Sequence, residues 1–282
     1  MRTLSLLLAA ALVGCGGDST TVAEAPPKEA PAPDATAPAA PPPTLAVADL
    51  QAQAENIALV PSPAEMQKAL EKAGVAGGLS KLVSAREFKM DVENKDVVAV
   101  RTGVVLADAL LTVKDAETGV LVARLEKVKA GMVALGAGTD IAATLDELVN
   151  AVKNETKSRD ELLKDLDDLH GAILPEIKYE AGERVVPLLQ AGSWLEGSNL
   201  VANAILTSGK IEAGNSLLRQ PQVAGYFLKY VQVEGADKAP SEVVKQLEAT
   251  LKKLQEIAAK PNLSTEDLTE IKAQTDAVLG LL

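Results

Sequence analysis

The sequence predicts an all-α fold: a helical bundle of about seven to nine helices with two central apolar helices, preceded by a disordered tether rich in proline and alanine. Three features support this prediction. Apolar residues recur three and four positions apart beyond residue 50, helix-start motifs precede these runs, and eight of the fifteen prolines lie in residues 16–49. Residues 50–282, which we assign to the all-helical domain, are numerous enough to enclose a full hydrophobic core.

The chain begins with a pattern typical of a signal peptide, which we assign to residues 1–14. Arg2 supplies a positive charge, and residues 4–13 form an apolar run. A run of this length is typical of the apolar region of a signal peptide. It is too short to cross a bilayer as a helix, which takes about 20 residues.

The apolar run ends in Leu12-Val13-Gly14-Cys15, which resembles the lipobox of bacterial lipoproteins. The resemblance implies that Cys15 receives a diacylglyceryl group, that the leader is cleaved before it, and that the new amine is acylated. Gly16 stands where an Asp would favour inner-membrane retention, so the outer membrane is favoured. The domain would then face the periplasm or the cell exterior. The alternative is an ordinary secretory leader with a chance cysteine.

Residues 15–49 are predicted to form a lipid-anchored, disordered linker. They combine prolines with Ala, Thr, Ser, Asp and Glu, and almost no large apolar side chain occurs before Leu45. Such a segment cannot bury enough surface to offset the entropy of ordering it. Its prolines favour a partly extended polyproline II conformation. We expect a plain spacer, with a proline-rich recognition motif as the alternative.

The helical domain repeats the signals of a helix start. In residues 62–65 and 158–161 a Ser is followed three positions later by a Glu, which is the capping-box pattern. Residues 264–267 offer a related start with Asp in the last position. The short connector Lys260-Pro261-Asn262 predicts that the last two helices form an antiparallel hairpin.

Two segments would be apolar on almost every face of a helix, and we expect them to form the central helices. They cover residues 96–113 and 183–206. The valines of the first segment would also suit strands broken at Thr102-Gly103, because β-branched residues favour strands. Its length without a strong breaker favours one buried helix. In the second segment Pro187 lies near the helix start, where a missing amide costs little.

Each central segment carries polar residues on one helical face. Arg101 and Asp108 are seven residues apart in the first segment, and the second has Glu196, Asn199 and Asn203 spaced by three and four. Buried charges must be partnered, so we expect Arg101, Asp108 and Glu196 to form one polar cluster. A functional cluster would be a pocket that holds a small polar ligand. A structural cluster would fix helix register, and a third possibility is that Glu196 reaches solvent.

Three short patches resemble a group of uncharacterised helical proteins of bacterial envelopes. They are residues 58–63 (Ala-Leu-Val-Pro-Ser-Pro), residues 102–108 (Thr-Gly-Val-Val-Leu-Ala-Asp) and residues 191–197 (Ala-Gly-Ser-Trp-Leu-Glu-Gly). The resemblance implies an all-helical body and implies no activity.

Composition excludes several classes of function. The chain has 28 basic and 39 acidic residues, a net charge of −11, and only six aromatic residues. Nucleic-acid binding needs a basic surface and often aromatic platforms, so no nucleic-acid partner is expected. One Cys and one His argue against a disulfide framework and a Cys- or His-rich metal centre, and we expect no metal or cofactor.

Together these patterns predict a non-enzymatic scaffold or interaction module anchored to a membrane, with another envelope protein as its possible partner. The alternative is a domain that binds a small ligand through the polar cluster.

Overall fold

A computed structural model describes residues 60–235 and 241–282. The predicted signal peptide, Cys15 and the predicted linker of residues 15–49 lie outside the described residues. Within the described ranges the chain forms α-helices, short 3₁₀ turns and connecting segments, with no strand. The predicted all-α fold is confirmed.

Ten α-helices occur in the described ranges, and nine of them have eleven residues or more. They are α1 (Pro63–Ala73), α2 (Lys95–Thr112), α3 (Thr118–Leu135), α4 (Thr139–Lys153), α5 (Arg159–Ala181), α6 (Val185–Ser208), α7 (Gly214–Leu217), α8 (Pro221–Glu234), α9 (Ser241–Ala258) and α10 (Thr265–Leu279). Single 3₁₀ turns cover Leu79–Lys81 and Ile211–Ala213.

Side-chain caps begin the helices where the sequence predicted them. At the start of α1, the Ser62 hydroxyl accepts a hydrogen bond from the Glu65 backbone at 3.1 Å, and the Glu65 carboxylate accepts one from the Ser62 backbone at 2.8 Å. The same reciprocal pair begins α5 at Ser158 and α10 at Ser264. Each cap satisfies amides that the first helical turn leaves unpaired.

The two central helices are α2 and α6, which pack against each other more extensively than any other pair of elements in the described ranges. Their backbones approach closely at two glycines. A Cβ atom at Gly103 would overlap the carbonyl oxygen of Leu189, and one at Gly192 would overlap that of Val100. The Ser193 hydroxyl donates to the Gly103 carbonyl at 2.9 Å across the same crossing. Because α2 is one continuous helix, the strand alternative for residues 96–113 is wrong.

The amphipathic helices surround this pair. Helix α3 packs on both α2 and α4, while α10 packs on α6. Helix α9 lies between α8 and α10 and contacts both. Helices α9 and α10 pack against each other across their short connector, as the sequence predicted. None of the helices in residues 60–235 and 241–282 has the length and apolar character needed to cross a membrane.

Candidate functional site

A buried pair of carboxyl groups joins the two central helices. Asp108 of α2 is 8% exposed and Glu196 of α6 is 0% exposed, and their carboxyl groups lie within hydrogen-bonding reach of each other. Asp108 Oδ1 and Glu196 Oε1 receive no hydrogen bond from any donor in the described part of the chain. Two ionised carboxylates offer only acceptors. The pair is therefore satisfied only when one of the two groups carries a proton and donates it to the other.

Arg86 supplies the positive charge of this site. It lies in the irregular segment before α2, and its Nη1 donates to Glu196 Oε2 at 2.5 Å. Its Nη2 lies 3.7 Å from Asp276 Oδ1 of α10. Only 15% of the Arg86 side chain is exposed. The ion pair thus neutralises Glu196 inside the core and connects it to a third helix.

The proton of the pair belongs on Asp108. Burial raises the pKa of Asp108 well above its usual range, and the neighbouring Glu196 carboxylate raises it further, against the smaller opposing effects of Arg124 and Arg86. Burial also raises the pKa of Glu196, but the ion pair with Arg86 opposes that shift. We therefore assign the neutral form to Asp108 and the charge to Glu196.

Asn199 extends the cluster along α6 toward α10. Its Nδ2 donates to Thr275 Oγ1 at 2.9 Å, to Asp276 Oδ1 at 2.8 Å and to the Lys272 carbonyl at 3.2 Å. These bonds fix the register of α6 against α10. Asn203, expected on the same face, is half-buried and makes no hydrogen bond with any described residue.

Arg101 lies outside the cluster, contrary to the sequence-based expectation. Its Nε donates to the Leu282 carbonyl at 2.7 Å, and its Nη1 donates to the Lys89 carbonyl at 2.8 Å. Seven residues of helix separate Arg101 from Asp108 by about 10 Å along the axis. Arg101 therefore reaches acceptors beside the beginning of α2, while Asp108 meets Glu196 two turns further on.

The polar cluster links several elements of the fold. It contains residues of α2, α6 and α10 and of the segment before α2, and the opposite charges of Arg86 and Glu196 are paired inside the core. Glu196 does not reach solvent, so that alternative is wrong. The geometry favours the structural interpretation, in which the cluster fixes helix register, over a pocket for a polar ligand.

A second feature, which the sequence did not predict, is an apolar cavity of about 310 Å³ between α2, α6, α8, α9 and α10. Three of the six aromatic residues of the chain line it, namely Trp194, Phe227 and Tyr230. The rings of Trp194 and Phe227 are 5.4 Å apart at their centroids. Phe227 and Tyr230 are three residues apart in α8, which is the spacing of ordinary core residues. The one available signal was the concentration of aromatic residues in two helices of a chain that has few.

Tyr230 closes one side of this cavity. Its hydroxyl donates to the Arg184 carbonyl at 3.0 Å, and burial raises its pKa to about 12. The Arg184 side chain pairs in turn with Asp96, with Nε donating to Oδ1 at 3.2 Å. Tyr230, Arg184 and Asp96 are therefore engaged with one another at this edge.

No group of three His, Cys, Asp or Glu side chains in the described ranges is placed to hold a metal ion. His170, the only histidine, is buried, and burial lowers its pKa.

The chain was compared with protein-family models, with curated proteins and with solved structures, and no significant match was found in any of the three.

Proposed function

We propose that this protein is a lipid-anchored component of the bacterial cell envelope in which a linker rich in proline and alanine joins the lipid anchor to a helical body. Its role is that of a non-enzymatic scaffold or interaction module, and another envelope protein is the expected partner. The observation that carries the proposal is the ordered pattern at the start of the chain: Arg2, the apolar run of residues 4–13 and the lipobox ending at Cys15.

The physical chemistry of the anchor supports this proposal. Each buried methylene adds about 0.8 kcal/mol of membrane affinity, and stable anchoring takes more than one acyl chain. A cysteine with a diacylglyceryl group and an acylated amine carries several chains. Gly16 in place of Asp favours the outer membrane as the site of anchoring.

The buried polar residues of the body support a structural rather than a catalytic role. General acid–base chemistry needs a titratable group within reach of a substrate. The strongly perturbed carboxyl groups, Asp108 and Glu196, are instead enclosed in the core and contact each other and Arg86. A packed helical body of this kind is suited to presenting a surface to a partner.

The anchor is tested by replacing the acylated residue in cells that process lipoproteins. We expect Cys15→Ser to abolish incorporation of radiolabelled palmitate and to move the protein out of the membrane fraction or stall its maturation. Ser19→Ala, four residues away, is the matched control and should behave as the wild type. A wild-type protein that carries no label and an unchanged membrane fraction for Cys15→Ser would refute the proposal.

A further inference from the structure

The cavity between α2, α6, α8, α9 and α10 is partly open to solvent and is large for a space between packed helices. Interiors are close-packed, and voids larger than a water molecule are few. An apolar cavity of about 150 Å³ stays dry and can hold one benzene molecule. By that measure the cavity of about 310 Å³ has room for an apolar molecule of about twelve carbon atoms.

The walls of the cavity select against polar molecules. Trp194, Phe227 and Leu251 are among the apolar side chains that form them, and Thr250 is the polar residue that α9 contributes to the lining. The Thr250 hydroxyl is engaged with Gln274 Oε1 at 3.1 Å. A polar ligand would lose its hydrogen bonds to water and gain none here, which is costly. An apolar ligand would gain from leaving water.

The charged residues at the rim of the cavity are Asp96, Arg184 and Glu234. They do not favour a ligand with an anionic head group. Arg184 is paired with Asp96, and the other acidic group of the rim, Glu234, adds a negative charge. The whole chain also carries a net charge of −11. Among the described residues, the rim therefore offers no unpaired cation to a carboxylate or phosphate, and binding strength must come from the apolar chain.

From the size, the lining and the rim we infer that this cavity is a binding site for one linear aliphatic chain of about twelve carbons, recognised by its tail. This ligand site is separate from the Asp108–Glu196 cluster and does not depend on the proposed anchor. The volume suits a single-chain molecule, such as a free fatty alcohol or acid, rather than one long chain of a two-chain phospholipid.

Trp194 provides the signal for the test, because it is the only tryptophan of the chain, is 6% exposed and lines the cavity. The full chain carrying Cys15→Ser is purified without detergent, so that neither its own lipid nor a detergent competes. We expect 12-bromododecanoate to quench Trp194 fluorescence and 1-dodecanol to reverse the quenching. The alcohol should compete at least as well as unlabelled dodecanoate, since the rim does not favour an anion.

Chain length gives a second readout. Across alcohols from hexanol to hexadecanol, affinity should rise about fourfold per methylene and stop rising near twelve carbons, because further methylenes find no space in the cavity. Vesicles of phosphatidylcholine with brominated chains should leave the fluorescence unchanged. Quenching by these vesicles alone would identify membrane lipid as the source and would contradict the single-chain proposal.

Variants locate the site. Ala191→Phe, from the α6 wall, should fill about half of the cavity and weaken quenching more than tenfold, and Val97→Phe, from the α2 wall, should do the same. Ala123→Phe, at an exposed position of α3, is the control and should bind as the parent. Absence of quenching in the parent, a steady rise of affinity beyond twelve carbons, or equal binding by all three variants would each overturn the inference.

Discussion

Arg86 determines whether the buried charge on Glu196 is tolerated. Removing one member of a buried ion pair leaves the other charge without compensation. We therefore expect Arg86→Met to lower the free energy of unfolding at pH 7 by about 3 kcal/mol, measured by urea denaturation. Glu196→Gln in the Arg86→Met background removes the orphaned charge and should restore most of this loss.

The dependence on pH has a definite sign. Without Arg86, the pKa of Glu196 in the folded protein rises further above the unfolded value of about 4.3. A raised folded pKa contributes stability below the unfolded pKa and loses it as pH increases. The cost of Arg86→Met should therefore be smallest near pH 4 and grow toward pH 7. A cost that is independent of pH would contradict the assignment of the charge to Glu196.

Asp108→Asn is the matched control for this charge assignment. If Asp108 is the protonated member of the pair, an amide reproduces its donor, and the variant should be as stable as the wild type at pH 7 or more stable. The raised pKa of Asp108 makes the wild type lose stability as pH rises above about 4, so the difference in favour of Asn should widen with pH. A large loss at pH 7 would place the charge on Asp108 instead.

The residues of this cluster show what helical spacing predicts and what it does not. Spacing placed Asp108 and Glu196 on inward faces of two apolar helices, and the structure brings them together. Spacing predicted Arg101 as the arginine of the cluster, which is wrong. It gives the helical face on which Arg101 lies, but not where along the helix axis a neighbouring element supplies the partner of its side chain. Arg86 lies in an irregular segment, where no periodicity marks a residue as inward-facing.

At the scale of elements, the crossing of α2 and α6 depends on glycine. We expect Gly103→Ala to destabilise the protein by about 1–3 kcal/mol, because the added methyl group would overlap the Leu189 carbonyl and force the two helices apart. The thermal midpoint, followed by circular dichroism, measures this effect.

Gly171→Ala in α5 is the control for helix propensity. This glycine is exposed and a Cβ atom there has open space, so alanine should stabilise the helix by about 1 kcal/mol. If both changes had the same stabilising effect, the two central helices would not be in backbone contact at Gly103.

The elements themselves were largely predictable, because their signals are local. Capping at Ser62, Ser158 and Ser264 depends on residues three positions apart, and the structure shows all three caps. The continuous apolar character of α2 and α6 is visible in the sequence and identified them as central. For α2, only the length of the apolar segment favoured a helix over the strand alternative.

At the scale of the whole molecule, the apolar cavity could not be predicted. Its walls come from five helices, and its volume depends on how their side chains fail to fill the space between them. Each wall residue by itself has the pattern of an ordinary core residue. The space left between helices is a property of the assembled bundle, and helical spacing along one element contains no information about it.

The anchoring of the whole molecule to a membrane is the central claim, and the chemical state of its N-terminus tests that claim most directly. The protein is extracted from the membranes of bacteria that process lipoproteins, and its N-terminal peptide is analysed by mass spectrometry. We expect the peptide to begin at Cys15, with a diacylglyceryl group on the sulfur and an acyl group on the amine. A peptide that contains Cys15 as a free thiol, whether cleaved elsewhere or not at all, would contradict the claim.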